Sequence, residues 1–289
     1  MNARGGVVCC LAVPHDPTLP TVLANRGSEE LVASVASFLE HQRNVLRASG
    51  AEALVVVAGD HLNQWFLDNM PAFMLGKAPS AQGPFPDEAQ VFGIETLELE
   101  TDGELARRIL REGFEQGVDW AYSDEYVLDH AFTVPLGLVR PENDLPVVPI
   151  FTNVLAPPVP TARRFYEVGA VVRRAIDTWT VGRRVGVIVT GHLTNNVGGP
   201  RFLDFMREPI SAWDRHMWEL VERWDVERII EESSWDRLNE AGHATPAFLD
   251  VIFGIGVAHG ARPTRAEIGG AGIGPTFPLM SWDEEALRS

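Results

Sequence analysis

Four runs of nearly unbroken aliphatic residues, at 6–13, 53–58, 146–151 and 184–190, restrict this chain more than any other feature. A run that is apolar at every position, rich in Val and Ile and too short for an ordinary helix, reads as a strand buried on both faces. That condition is met in parallel sheets covered by helices on either side. Amphipathic helical patterns at 29–48, 103–112 and 161–178 fall between the runs, so strands and helices alternate as in α/β folds. Two more helical patterns follow, at 209–224 with Pro209 in the first turn and at 245–253, and make the C-terminal third largely helical. Pro- and Gly-rich stretches at 77–87 and 156–160 mark loops. With no low-complexity linker and no internal repeat, residues 1–289 are expected to form a single α/β domain. Its central sheet is expected to be largely parallel or mixed and flanked by helices.

Composition narrows the partners. Forty Asp and Glu against 24 Lys and Arg leave a net charge of −16, which repels a polyphosphate backbone, so no nucleic acid is expected. The apolar stretch before Pro14 is too short to span a bilayer and lacks a signal-peptide cleavage pattern, so neither a membrane anchor nor a targeting segment is expected. The two cysteines, Cys9 and Cys10, are neighbours, and disulfide geometry disfavours a bridge between adjacent residues. A reduced, cytoplasmic setting follows as the expectation.

Chemistry enters through histidine. His15, His61 and His192 each lie just beyond the carboxyl end of an expected strand, the edge at which open α/β sheets form ligand crevices. A lone loop histidine is usually a surface residue. Three at one sheet edge point instead to a metal, because neutral imidazole is the commonest ligand for divalent transition metals and two His with a carboxylate is the non-haem Fe(II) pattern. His130 sits at an expected helix start with Asp129 as its cap. His41 and His216, inside helical patterns, and His259, in a Gly-rich turn, are assigned to structure or solvent.

The segments VPHDPTLP, VVVAGDHLNQWFLDNMPAFMLG, DHAFTVPLGLV, PVVPIFTNVLAPPVP and VTGHLTNNVGGPRFLDFM resemble, in order and spacing, those of the class III (LigB-type) extradiol ring-cleavage dioxygenases. The protocatechuate 4,5-dioxygenase beta subunit is the best-known member of that family. The resemblance runs from about His15 to Phe253 and implies a LigB-like fold. It also implies Fe(II) held by His15 and His61, with His130 contacting substrate or oxygen. Two positions depart from the family pattern. Where the motif ends in a histidine that acts as acid and base, this chain has Asn195, which cannot take up a proton, and His192 stands three residues earlier as a candidate replacement. Where the family places its glutamate ligand, this chain has Ala247. His243, four residues before it, is the candidate third ligand, with Glu240 farther upstream.

The expected function is therefore a non-haem Fe(II)-dependent dioxygenase that opens a catecholic or aminophenolic ring with O2. The expected metal ligands are His15, His61 and His243, and the expected catalytic groups are His130, Asn195 and His192. The two departures keep alternatives open, a non-catalytic partner subunit or a metal-assisted hydrolase or decarboxylase, for which a three-histidine site would equally suit Zn(II). A homo-oligomer, or a hetero-oligomer with a related subunit, is expected. The Gly-rich stretch 268–275 lacks the ending of a phosphate loop and reads as a plain loop. Trp213, Trp218 and Trp224 divide between core and interface, and Glu227, Glu231 and Glu232 read as a solvated helix face.

Overall fold

The structure, a computed structural model, describes residues 5–27 and 29–289. Its strands are β1 (Gly6–Val13), β2 (Ala53–Gly59), β3 (Phe73–Gly76), β4 (Ser80–Gly83), β5 (Leu97–Glu100), β6 (Ala121–Ser123), β7 (Val147–Thr152), β8 (Arg184–Thr190), β9 (Arg265–Gly269) and β10 (Phe277–Trp282). Eight of them form one mixed sheet in the order β6-β3-β7-β2-β8-β1-β10-β9, and β4 pairs with β5 as a separate ribbon. The centre of the sheet, β7-β2-β8-β1, is parallel throughout, while β3 and β10 join its two sides antiparallel. The four aliphatic runs are these four central strands.

Burial on both faces is what makes those runs continuous. Along β1, Val7, Cys10 and Ala12 enter one core while Cys9, Leu11 and Val13 enter the other. Along β2 the division is Ala53, Val55 and Val57 against Leu54, Val56 and Ala58. The first core is closed by the Gly103–Glu115, Ala162–Asp177 and Phe248–Val257 helices, the second by the Glu30–Ser49 and His130–Val139 helices. Cys9 and Cys10 are buried free thiols on opposite faces, and burial pushes the Cys9 thiol up to about 11.

The C-terminal third, expected to be largely helical, also contains strands. After the Phe248–Val257 helix the chain forms the β9–β10 hairpin, and β10 lies directly against β1, with Leu11 opposite Ser281. Pro278 within β10 and the glycines beside β9 conceal this hairpin, because both residue types argue against a strand. The helix expected from Pro209 begins instead at Ala212. Ser211 caps it and Asp214 returns the bond to the Ser211 N–H, a capping box that fixes the start past the proline. Among the described residues no helix is long and apolar enough to cross a membrane.

The Ala162–Asp177 and Phe248–Val257 helices cross at two glycines. A Cβ on Gly169 would sit 2.1 Å from the Phe253 carbonyl oxygen, and one on Gly256 would sit 2.0 Å from that of Tyr166. This backbone-to-backbone contact sets the depth of the Phe248–Val257 helix and hence the place of the turn before it, which borders the functional site. Gly256→Ala is predicted to lower stability by about 1–3 kcal/mol through overpacking. Helix propensity alone would raise it by about 1 kcal/mol. Denaturant unfolding reads the sign, and a stabilised variant would refute the interlock.

Candidate active site

The parallel register delivers three histidines to one place. Val13 at the end of β1 is opposite Thr190 at the end of β8, so His15 and His192, each two residues farther on, are brought level. Their ring centroids are 4.2 Å apart. β2 adjoins β8 on its other side, and His61, two residues beyond Gly59, lies 5.4 Å from His15. His130 arrives from a separate element, the first residue of the His130–Val139 helix, and stacks on His61 at 4.3 Å. All four line a cavity of about 480 Å3.

One buried carboxylate organises this corner. Asp129 is fully buried and is the cap of the His130–Val139 helix: Oδ1 accepts from the Ala131 N–H at 2.8 Å, while Oδ2 accepts from the His61 N–H at 3.0 Å and pairs with His61 Nδ1 at 2.8 Å. Burial opposes the charge on Asp129, but the charge of His61 and its hydrogen bond outweigh it and hold the carboxyl below its ordinary range. Burial likewise opposes protonation of His61, and Asp129 raises it. His61, Asp129 and His130 bring donor atoms within 4.8 Å of one another. Both oxygens of Asp129 are already engaged, however, so Asp129 orients His61 and leaves its Nε2 for a ligand. His130 is held in the same manner, Nδ1 lying 2.7 Å from Glu88 Oε1.

Among the described residues, His15 and His192 have no such partners. Both nitrogens of His15 are buried and unbonded, as is Nδ1 of His192, although the residues are only 2% and 4% exposed. Burial first, then the neighbouring histidines, holds His15 far below its usual pKa and takes His192 down to about 3. Both are therefore neutral near pH 7, the form that binds a metal.

The loops explain which expected residues join and which do not. Asn195 lines the cavity, and its backbone is tied to the turn before the Phe248–Val257 helix, through Thr245 Oγ1 at 3.0 Å and the Ala244 N–H at 3.1 Å. Ala247 also lines the cavity, close enough to β8 that a Cβ on Gly191 would meet its carbonyl at 2.7 Å. His243 does not join, which corrects the expectation for the third ligand. It is exposed, with Nε2 accepting from the Val197 N–H at 3.1 Å and Nδ1 at 3.1 Å from Asn196 Oδ1. It sits on the outer side of the turn. Glu240 is exposed at the end of the Trp235–Ala241 helix and does not line the cavity.

Residues 9–273 match the family model of the catalytic LigB subunit of aromatic ring-opening dioxygenase. The chain belongs to the LigB family. Two relatives, from Rhodococcus sp and Rhodococcus jostii, are named 2,3-dihydroxyphenylpropionate/2,3-dihydroxicinnamic acid 1,2-dioxygenase. The first is 25% identical over 82% of this chain and 85% of its own length, the second 29% identical over 68% and 59%. A solved Escherichia coli K12 protein, titled uncharacterized, shares the fold at a TM-score of 0.54 and 13% identity, covering 95% of this chain and 99% of that one.

Family membership implies a metal cofactor, and the residues present fit one. Unbonded buried imidazole nitrogens are costly unless something satisfies them. His15, His192 and the free edge of His61 supply imidazole nitrogen donors around one cavity. Asp60, Asp129 as an anchor for His61, and Glu88 carry no signal of these roles in the sequence beyond the Asp-His pairs at 60–61 and 129–130. Asp60 Oδ2 accepts from the backbone N–H groups of Asn63, Gln64 and Trp65 at 3.1, 3.4 and 3.2 Å and so shapes the loop after His61.

Asp250 lies one turn beyond Ala247, fully buried and outside the cavity lining. Its Oδ1 accepts from Thr152 Oγ1 at 2.7 Å, bracing the helix against the end of β7. Burial raises its pKa to about 7, against the opposing pull of Thr152, the Gly59 N–H and His61. The folded protein therefore keeps a proton that the unfolded chain releases near pH 4. The stability this contributes is full below about pH 4 and is lost as pH rises through about 7. Asp250→Asn is predicted to raise the melting temperature relative to the parent more at pH 8 than at pH 5. A difference that does not change with pH would refute it.

Proposed function

We propose that this chain is an extradiol-type dioxygenase that opens a catecholic or aminophenolic ring, with Fe(II) held by His15, His61 and His192. The observation that carries the reading is the pairing of His15 with His192: two buried imidazoles at 4.2 Å with unbonded nitrogens, beside a third oriented by Asp129. His192 takes the place first expected for His243, and the set holds three imidazole nitrogens in place of two and a carboxylate. Bound there, the metal supplies a Lewis-acidic, redox-active centre at which an aromatic diol and O2 can meet.

The remaining work falls to side chains. His130, fixed through Nδ1 by Glu88, presents its other edge to the cavity and is the group placed to accept a proton from the substrate hydroxyl. Asn195 orients the ring by donating a hydrogen bond, and does not move a proton. Phe92, Val154, Leu155 and Ile273 form apolar walls that accept an aromatic ring and exclude water.

The reading is tested by preparing apoprotein, loading Fe(II) anaerobically, and following O2 uptake with protocatechuate, gallate, catechol and 2-aminophenol. Consumption with at least one is expected; none with any, or retention of zinc alone with turnover independent of O2, would sink it. Metal titration tests the ligand set separately. His192→Ala is predicted to weaken binding at least about 10-fold, and Asp129→Asn by about 10–100-fold through the loss of His61 orientation. His243→Ala is predicted to leave it unchanged.

A further inference from the structure

The cavity also carries information about what hangs from the ring. Most of its wall is apolar, and among the described residues that line it Arg201 is the one Lys or Arg side chain. A site built for a substrate carboxylate presents a guanidinium or ammonium with donors to spare. Arg201 already engages protein groups through both terminal nitrogens and faces an acid through the third. Nη1 and Nη2 donate to the carbonyls of Glu240 and Ala241, both at 3.0 Å, and Nε faces Asp204 Oδ2 at 3.5 Å. Its charge closes the end of the Trp235–Ala241 helix, where free carbonyls attract a cation.

The acids on the same wall outnumber it. Asp16, Asp204, Glu208 and Asp214 all line the cavity. Asp214 is buried and accepts four hydrogen bonds, from Thr194 N–H and Oγ1, Ser211 N–H and Thr276 Oγ1. Asp204 and Glu208 have arginine neighbours at the surface, Arg207 at 3.9 Å and Arg215 at 2.7 Å, neither of which lines the cavity. Among the described residues the Asp16 side chain, beside His15, bonds only to Thr18, with its Oδ1 accepting at 2.8 and 2.6 Å. A carboxylate on the ring substituent would meet these acids and, among the described lining residues, no Lys or Arg beyond the already engaged Arg201. It would also leave water for apolar walls, and an unpaired charge pays heavily for that transfer.

We infer that the substrate of this site is an aromatic diol or aminophenol whose ring substituent is apolar and carries no carboxylate. The inference rests on the ring-cleavage reading for the ring itself, and on the cavity wall for the substituent.

The test uses the full chain loaded with Fe(II) and a matched series: 3-propylcatechol, the analogue whose side chain ends in a carboxylate, and the same analogue as its carboxamide. Dissociation constants are measured under argon, and kcat/KM is measured in air. The propyl compound is expected to bind and react at least about 10-fold better than the carboxylate, with the carboxamide closer to the propyl compound. Raising the salt concentration or introducing Asp16→Asn should narrow the gap by favouring the carboxylate. A carboxylate that binds as well as or better than the propyl compound would overturn the inference. Binding in the expected order without O2 consumption would overturn ring cleavage and leave the inference about the substituent standing.

Discussion

The parallel pairing of β1 with β8 is the constraint from which the site follows. Backbone hydrogen bonds fix which residue of one strand faces which of the other, and a slip of one residue would turn every side chain to the opposite face. Because both faces of β1 and β8 are packed, such a slip would disturb two cores at once, and the register is held by the whole interior. His15 and His192 then have no choice but to emerge together, two residues past matched strand ends. Their shared burial lowers both pKa values and removes their solvent partners. Neither property belongs to either histidine alone.

Much of this could be read from residues. The aliphatic runs announced the central strands, and the position of histidine just beyond three of them announced the crevice. What stayed hidden has physical causes. The β9–β10 hairpin is written in Arg, Glu, Gly and Pro, types that disguise a strand, yet β10 is packed beside β1. His243 and Ala247 are four residues apart, a spacing that places two side chains on one helix face. The chain there is not α-helical: it turns at 242–244 and passes through the 3-10 turn Thr245–Ala247, and His243 is left exposed outside the cavity lining. Sequence spacing has meaning only once the local conformation is known. Glu88, more than 40 positions from His130, has no local signature at all.

The two departures from the family pattern are coupled in space. Asn195 and the turn carrying Ala247 are joined by hydrogen bonds from the Asn195 N–H to Thr245 Oγ1 and from the Ala244 N–H to the Asn195 carbonyl, so the two positions share one wall. His192, on the same loop as Asn195, faces His15 from that wall. On the reading proposed above, this one segment brings an imidazole to the site in place of the base and the carboxylate that the family resemblance leads one to expect.

Asp129 gives the site a reach beyond its cavity. One carboxylate fastens the ring and backbone of His61 and also the first turn of the His130–Val139 helix, whose apolar length forms part of the second core. Whatever occupies the free edge of His61 therefore pulls on a group that the helix also needs. Filling the cavity and ordering that layer become one thermodynamic event, felt by amide protons along the helix that never approach the ligand.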